Sequence, residues 1–437
     1  MRNWKQNNFV RFAAAALTIL ALTAAADEPA EKLDSLRTAA EQGDAASQLA
    51  LGMEYFNGVN RTAAVLWFRR AAAQGSPEAW YNLGMALKLG DGAEKSDYEA
   101  FQSFEKAASG GVDAAKMELA RYLAAGVEAE TKRDDPTPSI VPDIPAAIAL
   151  YRELAVKNNP AACRELAEIL LIRAASGGEN PADDRAEAVK LLERATARGD
   201  ASAMRMLGNC YRSGVGVAID FERMNRLFEA ATEKGDAEAA ALLGFSREFG
   251  LGARPDRPEA IRLYKFAAER GSMLGLAKVG DALLVGDVLS PDVAKGVAFL
   301  REAADKGNSY ALYKLGRCYA DGIGVELNPV RAAFYYSQAA ELGDANGQFE
   351  LGMAFLKGNG VASNAKSAFK WLSAAADKND PRALRELARC YYSGVGTEKD
   401  PEKGLYCLQL AAQAGDEQSQ YLLQLQSRSL EEQMRME

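Results

Sequence analysis

The sequence contains no histidine among its 437 residues. This absence removes the side chain that most often acts as a general base, carries a proton or ligates a metal. The five cysteines include no Cys-x-x-Cys pair, so the sequence favours neither a zinc site nor a thioredoxin-like site. The formal net charge of −8 argues against general nucleic-acid binding, which requires a basic surface. We therefore predict no metal, no cofactor and no nucleic-acid partner.

Long apolar runs are also missing, except near the N-terminus. There Arg2, Lys5 and Arg11 lead into an apolar stretch, residues 12–22, which is followed by small residues up to Ala26. This pattern is typical of a secretory signal peptide, and the apolar stretch is too short to span a membrane comfortably. We expect cleavage near Ala26 and a periplasmic or secreted mature protein without an integral membrane span. A retained N-terminal anchor is the alternative.

What the sequence has in abundance is repetition. A position that is usually glycine and usually follows leucine, called here the Gly slot, recurs every 36 residues over the second half of the chain and less regularly before it. The Gly slots are Gly52, Gly84, Ala120, Ala167, Gly208, Gly244, Gly280, Gly316, Gly352 and Ala388. A fixed period of this length is typical of a stacked repeat protein.

Each repeat has the pattern of two helices. In the last repeat Leu387 and Tyr391 fall on one helix face, and Gly394 ends that helix because glycine adopts the left-handed conformation of a helix C-terminus. Asp400 and Pro401 then start the second helix, since aspartate caps the helix and proline tolerates its first position. We therefore predict an all-α fold, a right-handed α-α superhelix of about ten helix-turn-helix repeats.

The repeated pattern resembles the Sel1-like repeats, relatives of the tetratricopeptide repeats, and the resemblance covers residues 33–415. Its motif is seen at Leu315-Gly316, Tyr319, Gly322, Gly324, Tyr336, Ala339-Ala340 and Gly343. We expect a capping half-repeat over 27–44, a solenoid over 45–415 and a C-terminal capping helix over 416–437. Insertions near 126–145 and 176–184 are predicted to be exposed loops, either a functional lip or neutral decoration.

The cysteines fit a packing role better than a disulfide framework. Cys210, Cys318 and Cys390 share one position two residues after the Gly slot, where alanine also occurs. Cys163 is expected to be a buried thiol. Only Cys390 and Cys407, on the two helices of one hairpin, are placed for a disulfide, and the sequence leaves open whether they form it.

The resemblance to tetratricopeptide repeats implies that first helices line a concave groove through three positions, numbered −3, +1 and +4 from the Gly slot. They share one helical face because their spacings are four and three. Over ten repeats they hold eight basic and three acidic residues. The residues that we predict to contact a partner are Tyr81, Arg121, Arg164, Arg205, Arg212, Tyr313, Arg317, Phe349, Arg385, Arg389 and Tyr392.

By the same resemblance, the predicted function is a non-catalytic scaffold or adaptor that binds a protein or peptide carrying acidic and apolar groups. Arginines would grip carboxylates and aromatic rings would act as apolar anchors. An alternative is binding of cell-wall peptidoglycan or its stem peptides, with the same rings stacked on sugars. A weaker alternative is a β-lactamase-like hydrolase, because Ser103 to Lys106 and Ser367 to Lys370 form Ser-x-x-Lys strings that lack the accompanying motifs.

Overall fold

The structure, a computed structural model, describes residues 29–58, 60–128, 138–286 and 288–425, with side chains from residue 33 onward. The predicted signal peptide lies outside these residues. In the described ranges helices follow one another through short turns, and the isolated bridge between Val127 and Ile140 is the strand-like pairing found there. The predicted all-α fold is confirmed.

The chain divides into two compact units, residues 1–176 and 177–437, called here the N-terminal and C-terminal units. The helices of the N-terminal unit are α1 (Pro29–Glu41), α2 (Ala45–Asn57), α3 (Arg61–Ala73), α4 (Pro77–Leu89), α5 (Asp97–Ser109), α6 (Asp113–Ala125), α7 (Ile144–Val156) and α8 (Pro160–Ala175). Helices α2, α4, α6 and α8 are first helices, and each of the first three packs against the second helix that follows it.

The C-terminal unit continues the same alternation. Its helices are α9 (Pro181–Ala197), α10 (Ala201–Ser213), α11 (Phe221–Glu233), α12 (Ala237–Phe249), α13 (Arg257–Glu269), α14 (Met273–Val285), α15 (Val293–Asp305), α16 (Ser309–Asp321), α17 (Pro329–Glu341), α18 (Ala345–Lys357), α19 (Ala365–Ala376), α20 (Pro381–Ser393) and α21 (Pro401–Gln413). The even-numbered ones are first helices. A further helical segment covers 417–425.

The Gly slot allows the two helices of a repeat to approach closely. A β-carbon built on Gly316 would lie 2.6 Å from the ring of Tyr336, and one on Gly84 would lie 2.7 Å from the ring of Phe104. These rings are almost completely buried. A side chain at the slot would therefore overlap the aromatic residue of the second helix, which explains why the position is held by glycine or alanine.

The Gly-x-Gly pair has two separate roles. Gly322 takes a φ of 70° and ends α16, its N–H donating to the carbonyl of Cys318. Gly324 lies against the second helix of the preceding repeat, where an added β-carbon would be 2.6 Å from a methyl carbon of Val293. The first glycine therefore ends a helix and the second allows neighbouring repeats to stack.

The two insertions lie at different places in the fold. In the first, α7 resumes at Ile144, with the carboxylate of Asp143 accepting a hydrogen bond from the N–H of Ala146 at 2.9 Å. Residues 129–137 lie outside the described ranges. In the second, α8 runs on to Ala175, three residues beyond the usual length of a first helix, and α9 begins at Pro181.

The segment 417–425 has the register of a first helix. Asp416 caps it by accepting from the N–H of Ser419 at 2.8 Å. The amide of Gln420 donates to the carbonyl of Ala412 at 3.0 Å, as Gln48 does to Ala40 at the start of α2. By this register Gln424 occupies the Gly slot. Residues 426–437 of the predicted capping helix lie outside the described residues.

Candidate functional site

The predicted contact residues all lie on first helices. In the N-terminal unit they are Tyr81 on α4, Arg121 on α6 and Arg164 on α8. In the C-terminal unit they are Arg205 and Arg212 on α10, Tyr313 and Arg317 on α16, Phe349 on α18, and Arg385, Arg389 and Tyr392 on α20. Helices of consecutive repeats contact each other on this side, called here the first-helix face. Lys278 of α14, for example, lies 2.9 Å from Glu248 of α12.

Glu165 is the centre of a closed group in the N-terminal unit. Arg121 donates to it through two nitrogens, Nε to Oε2 at 2.9 Å and Nη2 to Oε1 at 2.6 Å. The hydroxyl of Tyr151 also donates to Oε2 at 2.9 Å. The third guanidinium nitrogen of Arg121 reaches Glu118 at 2.5 Å, and Glu118 accepts from Lys88 at 2.5 Å. The predicted anion contact Arg121 is thus engaged within the chain.

The charges of this group change the acidity of its members. Burial alone would raise the pKa of Glu165, but the hydrogen bonds and charge of Arg121 and the hydroxyl of Tyr151 outweigh burial and hold that pKa below its ordinary value. The pKa of Tyr151 is raised, first by burial and then by the carboxylate of Glu165. Glu165 is therefore ionised, and Tyr151 is held as a neutral donor.

Two predicted arginines tie one repeat to the next. Arg205 lies 3.1 Å from Asp236, the residue that caps α12. Arg385 lies 2.5 Å from Asp416, which caps the segment 417–425. Both arginines occupy position −3 and are largely buried, so these ion pairs hold the start of the following first helix.

Position −2 is the feature that the sequence prediction missed. It carries charge in six repeats, as Glu118, Glu165, Lys278, Lys314, Glu350 and Glu386. It lies three residues before position +1 and therefore on the same helical face. Its glutamates contact four of the predicted arginines: Glu118 and Glu165 contact Arg121, Glu165 contacts Arg164, and Glu386 contacts Arg385 and Arg389. The basic excess at the three predicted positions is thus partly neutralised by a fourth position.

A hollow at the end of the C-terminal unit brings three predicted residues together. Its volume is about 330 Å³, and it is lined by Arg385, Ala388, Arg389, Tyr392, Leu408 and Leu422. The side chain of Arg389 is 72% exposed, and its guanidinium lies 2.9 Å from the carboxylate of Glu386 on the same helix. Leu422 is 43% exposed and adds apolar surface. The hollow therefore combines an accessible guanidinium with apolar walls.

A second group in the C-terminal unit lies on α16, α18 and α20. Arg317 is turned toward Asp321, with Nη2 to Oδ2 at 3.1 Å. The guanidinium of Arg382 lies 4.4 Å from the ring centre of Phe349. Glu350, between these helices on α18, has no hydrogen bond or ion pair with any described residue. This group is called the Glu350 site.

The predicted aromatic anchors are less accessible than the sequence suggested. Tyr313 is 7% exposed, and its ring centre lies 6.4 Å from that of Tyr336. One face of Phe349 is covered by Arg382. Tyr81 packs against Phe104 at 6.0 Å, and burial, followed by the charge of Glu118, raises its pKa to about 12. Tyr392 keeps access through the hollow. Arg212 is exposed and makes no ion pair with any described residue.

Among the described residues, neither Ser-x-x-Lys string joins its serine hydroxyl to its lysine by a hydrogen bond. Ser103 is 3% exposed, and its hydroxyl donates to the carbonyl of Glu99 at 2.7 Å. Lys106 instead lies 4.0 Å from the ring centre of Trp80. Ser367 is the third residue of α19, and its N–H is capped by Asn364. The hydrogen bonds of these two serines are made within their own helices or to the residue that caps the helix.

The five cysteines are free and buried in the structure. Cys390 and Cys407, the pair whose bonding the sequence left open, pack in one apolar cluster without a disulfide. Burial raises the pKa of the thiols of Cys210 and Cys318 to about 11. They act as small apolar side chains.

The fold and the first-helix face define an all-α helical-repeat protein. Comparison with known families makes this specific, because the Sel1 repeat model matches nine segments: 45–76, 77–112, 160–200, 201–236, 237–272, 273–308, 309–344, 345–380 and 381–416. The chain belongs to the Sel1 repeat family, as the sequence predicted. The model leaves out 113–159, where the first insertion separates α6 and α7, although these helices pair in the structure.

One solved structure and two curated proteins illustrate what this chain is similar to. A structure of c5321, a protective antigen of uropathogenic Escherichia coli with an SLR fold, is 26% identical, with a TM-score of 0.59 over 87% of this chain and 79% of that one. The uncharacterized protein NMB1327 of Neisseria meningitidis serogroup B is 28% identical over 44% of this chain and 37% of its own. An exopolysaccharide production negative regulator of Rhizobium meliloti is 26% identical over 44% of this chain and 70% of its own.

The matched region spans little more than a third of the Neisseria protein. Repeat proteins of this kind bind other proteins, and the Sel1 fold is generally a scaffold without catalysis. Among the described residues, no helix combines the length and apolar character that crossing a membrane needs.

Proposed function

We propose that this protein is an exported adaptor that binds a protein segment with acidic and apolar groups on its first-helix face. The observation that carries the proposal is the hollow of Arg385, Ala388, Arg389, Tyr392, Leu408 and Leu422. Arg389 offers the guanidinium for a carboxylate, while the leucines and the ring of Tyr392 surround the space for an apolar side chain.

The two arginines of the hollow have different tasks in this proposal. Arg385 is 18% exposed and is already paired with Asp416, so it holds the wall of the hollow. Arg389 is exposed and, among the described residues, its guanidinium pairs with Glu386 of the same helix, so it can turn to a ligand at little cost. Burial raises the pKa of Tyr392, which keeps its hydroxyl protonated as a donor at neutral pH.

A peptide suits these surfaces better than a glycan. Sugar stacking needs an open aromatic face, yet Tyr313 is buried and Phe349 is covered by Arg382. Carboxylate recognition by arginine needs only an exposed guanidinium beside apolar surface, which the hollow provides. Binding to peptidoglycan is therefore kept as an outcome of the test.

The test uses an array of short synthetic peptides with varied acidic and apolar content. It is probed with the mature chain, an Arg389→Glu variant and an Arg226→Glu control. Arg226 lies on second helix α11, its side chain is 69% exposed, and it pairs only with Glu222 of the same helix, so the control makes an equal change in charge. We expect the chain and the control to bind peptides rich in acidic and apolar residues, and Arg389→Glu to lose them.

Two results would contradict the proposal. Equal binding by the chain and by Arg389→Glu would move the site away from the hollow. Sedimentation of the chain with isolated peptidoglycan, without any peptide preference on the array, would favour the cell-wall function instead. Circular dichroism of each variant checks that a loss of binding is not a loss of folding.

The proposed location is the periplasm or the exterior, and it rests on the pattern of Arg2, Lys5, Arg11 and the apolar residues 12–22. Cell fractionation with a C-terminal tag tests this location. We expect the tagged protein in the exported fraction with a new N-terminus near residue 27. Retention of the full-length chain in the cytoplasm would contradict it.

A further inference from the structure

Glu350 is a half-buried carboxylate without a partner. It lies on α18 at position −2, and no described residue donates a hydrogen bond or forms an ion pair with it. Its oxygens are not among the sealed, unsatisfied polar atoms of the described residues, so they keep some exposure to solvent. A charge removed from most of its water and given no partner is unfavourable, and such a group favours binding of an opposite charge.

The neighbouring cations do not supply that opposite charge, because each has another partner. Arg317 contacts Asp321 at 3.1 Å and the hydroxyl of Tyr313 at 3.5 Å. Arg382 donates to Asp380 at 2.7 Å and to Asn346 at 2.7 Å. Their charges act on Glu350 only from a distance, and burial remains the largest influence, raising its pKa. The site therefore keeps one uncompensated negative charge.

The N-terminal unit shows which group fits such a carboxylate. Glu165 also stands at position −2, and the residue at position +1 of the preceding repeat, Arg121, donates to it through two nitrogens. A buried tyrosine of the intervening second helix, Tyr151, stands beside it. The equivalent tyrosine at the Glu350 site is Tyr336, whose pKa is raised by burial and then by the charge of Glu350. The two sites differ in that Glu165 accepts from Arg121, Arg164 and Tyr151, whereas no described residue donates to Glu350.

We propose that Glu350 accepts a guanidinium from the bound partner, in the place that Arg121 fills at Glu165. The inference rests on the proposed function, because it names a chemical group that the partner segment carries. An arginine fits better than a lysine, since two parallel N–H groups match both oxygens of a carboxylate. Arg317 and Arg382 stay with their own partners and form the walls of the site.

The position of the Glu350 site relative to the hollow predicts a spacing in the partner. Helices α18 and α20 are neighbours, because Arg382 of α20 contacts Asn346 and Phe349 of α18. Packed helices lie about 8–10 Å apart, and an extended chain advances about 3.3 Å per residue. A partner that places an arginine on Glu350 and a carboxylate on Arg389 therefore carries them roughly three residues apart.

The experiment uses short synthetic peptides with the core Arg-x-x-Glu or Glu-x-x-Arg. Each is printed beside a twin in which citrulline, a neutral isostere, replaces arginine. The array is probed with the mature chain, Glu350→Gln, Arg389→Glu, and the control Glu341→Gln, which removes an exposed carboxylate from the end of second helix α17. We expect the chain and the control to prefer the arginine member of a pair by about tenfold, and Glu350→Gln to bind both members alike.

The outcomes separate this inference from the function on which it rests. If both members of each pair bind equally well to the chain and neither binds to Arg389→Glu, the hollow is the binding site and the inference about Glu350 is wrong. If Glu350→Gln still prefers arginine, the inference is also wrong. If no peptide binds, both proposals fail. Thermal unfolding of Glu350→Gln verifies that the variant is folded.

Discussion

The Glu165 and Glu350 sites are built from the same positions and reach opposite results. In both, an arginine at position +1, a tyrosine of the second helix and a glutamate at position −2 of the next repeat come together. At Glu165 the carboxylate accepts four hydrogen bonds, two from Arg121 and one each from Tyr151 and Arg164. At Glu350 the arginine has turned away. The difference shows that a repeat can use one set of positions either to hold the stack or to present a free charge.

One difference between the two sites is the residue four places after the arginine. Arg317 is followed four residues later by Asp321, which it contacts at 3.1 Å. The position equivalent to Asp321 is Ala125 in the N-terminal unit, so Arg121 has no acid four residues after it, and its acid on the same helix is Glu118, three residues before it. An ion pair between residues four apart on a helix is weak. It nevertheless lets Arg317 pair with Asp321 without extending its side chain to the half-buried carboxylate of Glu350.

The largest expected effect comes from removing the closed carboxylate. Glu165→Gln leaves the guanidinium of Arg121 without its bidentate partner, and we expect the free energy of unfolding to fall by about 2 kcal/mol. The measurement is denaturant unfolding followed by circular dichroism. The pKa of Glu165 is lowered in the folded chain, so its contribution is present above the ordinary glutamate range and is lost as pH falls through the lowered value. An unchanged midpoint at neutral pH would show that the bidentate pair contributes nothing.

A smaller loss is expected from opening the closed site without touching its carboxylate. Ala125→Asp places an acid four residues after Arg121, as in the Glu350 site, and also places a negative charge at a helix C-terminus. We expect a loss of about 1 kcal/mol in the free energy of unfolding. Ala125→Asn, which keeps the shape and omits the charge, is the matched control. Equal losses from both variants would mean that competition for Arg121 plays no part.

The reverse change is expected to close the open site. Asp321→Ala frees Arg317 to donate to Glu350, and we expect a gain of about 1 kcal/mol together with loss of the preference for arginine peptides. Stability and peptide binding are measured on the same preparation. A gain in stability with the peptide preference intact would show that Arg317 does not reach Glu350. It would also show that Asp321 does not control the preference of the Glu350 site for arginine peptides.

The smallest effect is a gain from neutralising the open carboxylate. Glu350→Gln removes an unpaired charge, and we expect a gain of about 0.5 kcal/mol at neutral pH. Because the folded chain raises the pKa of Glu350, stability falls as pH rises from the ordinary value of 4.5 through the raised one. The gain therefore disappears below pH 4.5, where the carboxyl is protonated in both states. A gain that persists in acid would point to packing instead of charge.

The fold was predictable because the sequence of each repeat contains the signals that begin and end its helices. The Gly slots recur every 36 residues over the second half of the chain, and the capping side chain before most helices and the left-handed glycine after most of them act within one or two turns. The structure places helices where these signals stand, even at α6 and α7, which the first insertion separates. Such local signals need no knowledge of the neighbours.

The site was less predictable because charged side chains pair with residues of neighbouring repeats. The resemblance to tetratricopeptide repeats indicates positions −3, +1 and +4 as contact positions. It does not indicate position −2, although that position carries charge in most repeats. The pairing of Arg121 with Glu165 is also hidden by the insertion, which lengthens the step between their Gly slots to 47 residues. Which arginine is free depends on small differences such as Ala125 and Asp321.

The glutamine at the Gly slot of the last described helical segment has a consequence for how such an array grows. Wherever the slot holds glycine, an added β-carbon would lie 2.5–3.0 Å from the following second helix. A second helix brought to Gln424 at the usual distance would overlap its side chain. Duplication of a 36-residue block upstream of Asp416 preserves every helix contact, whereas a block appended beyond Gln424 first needs a substitution there. The volume of the Gln424 side chain therefore hinders growth of the array by a block added after it.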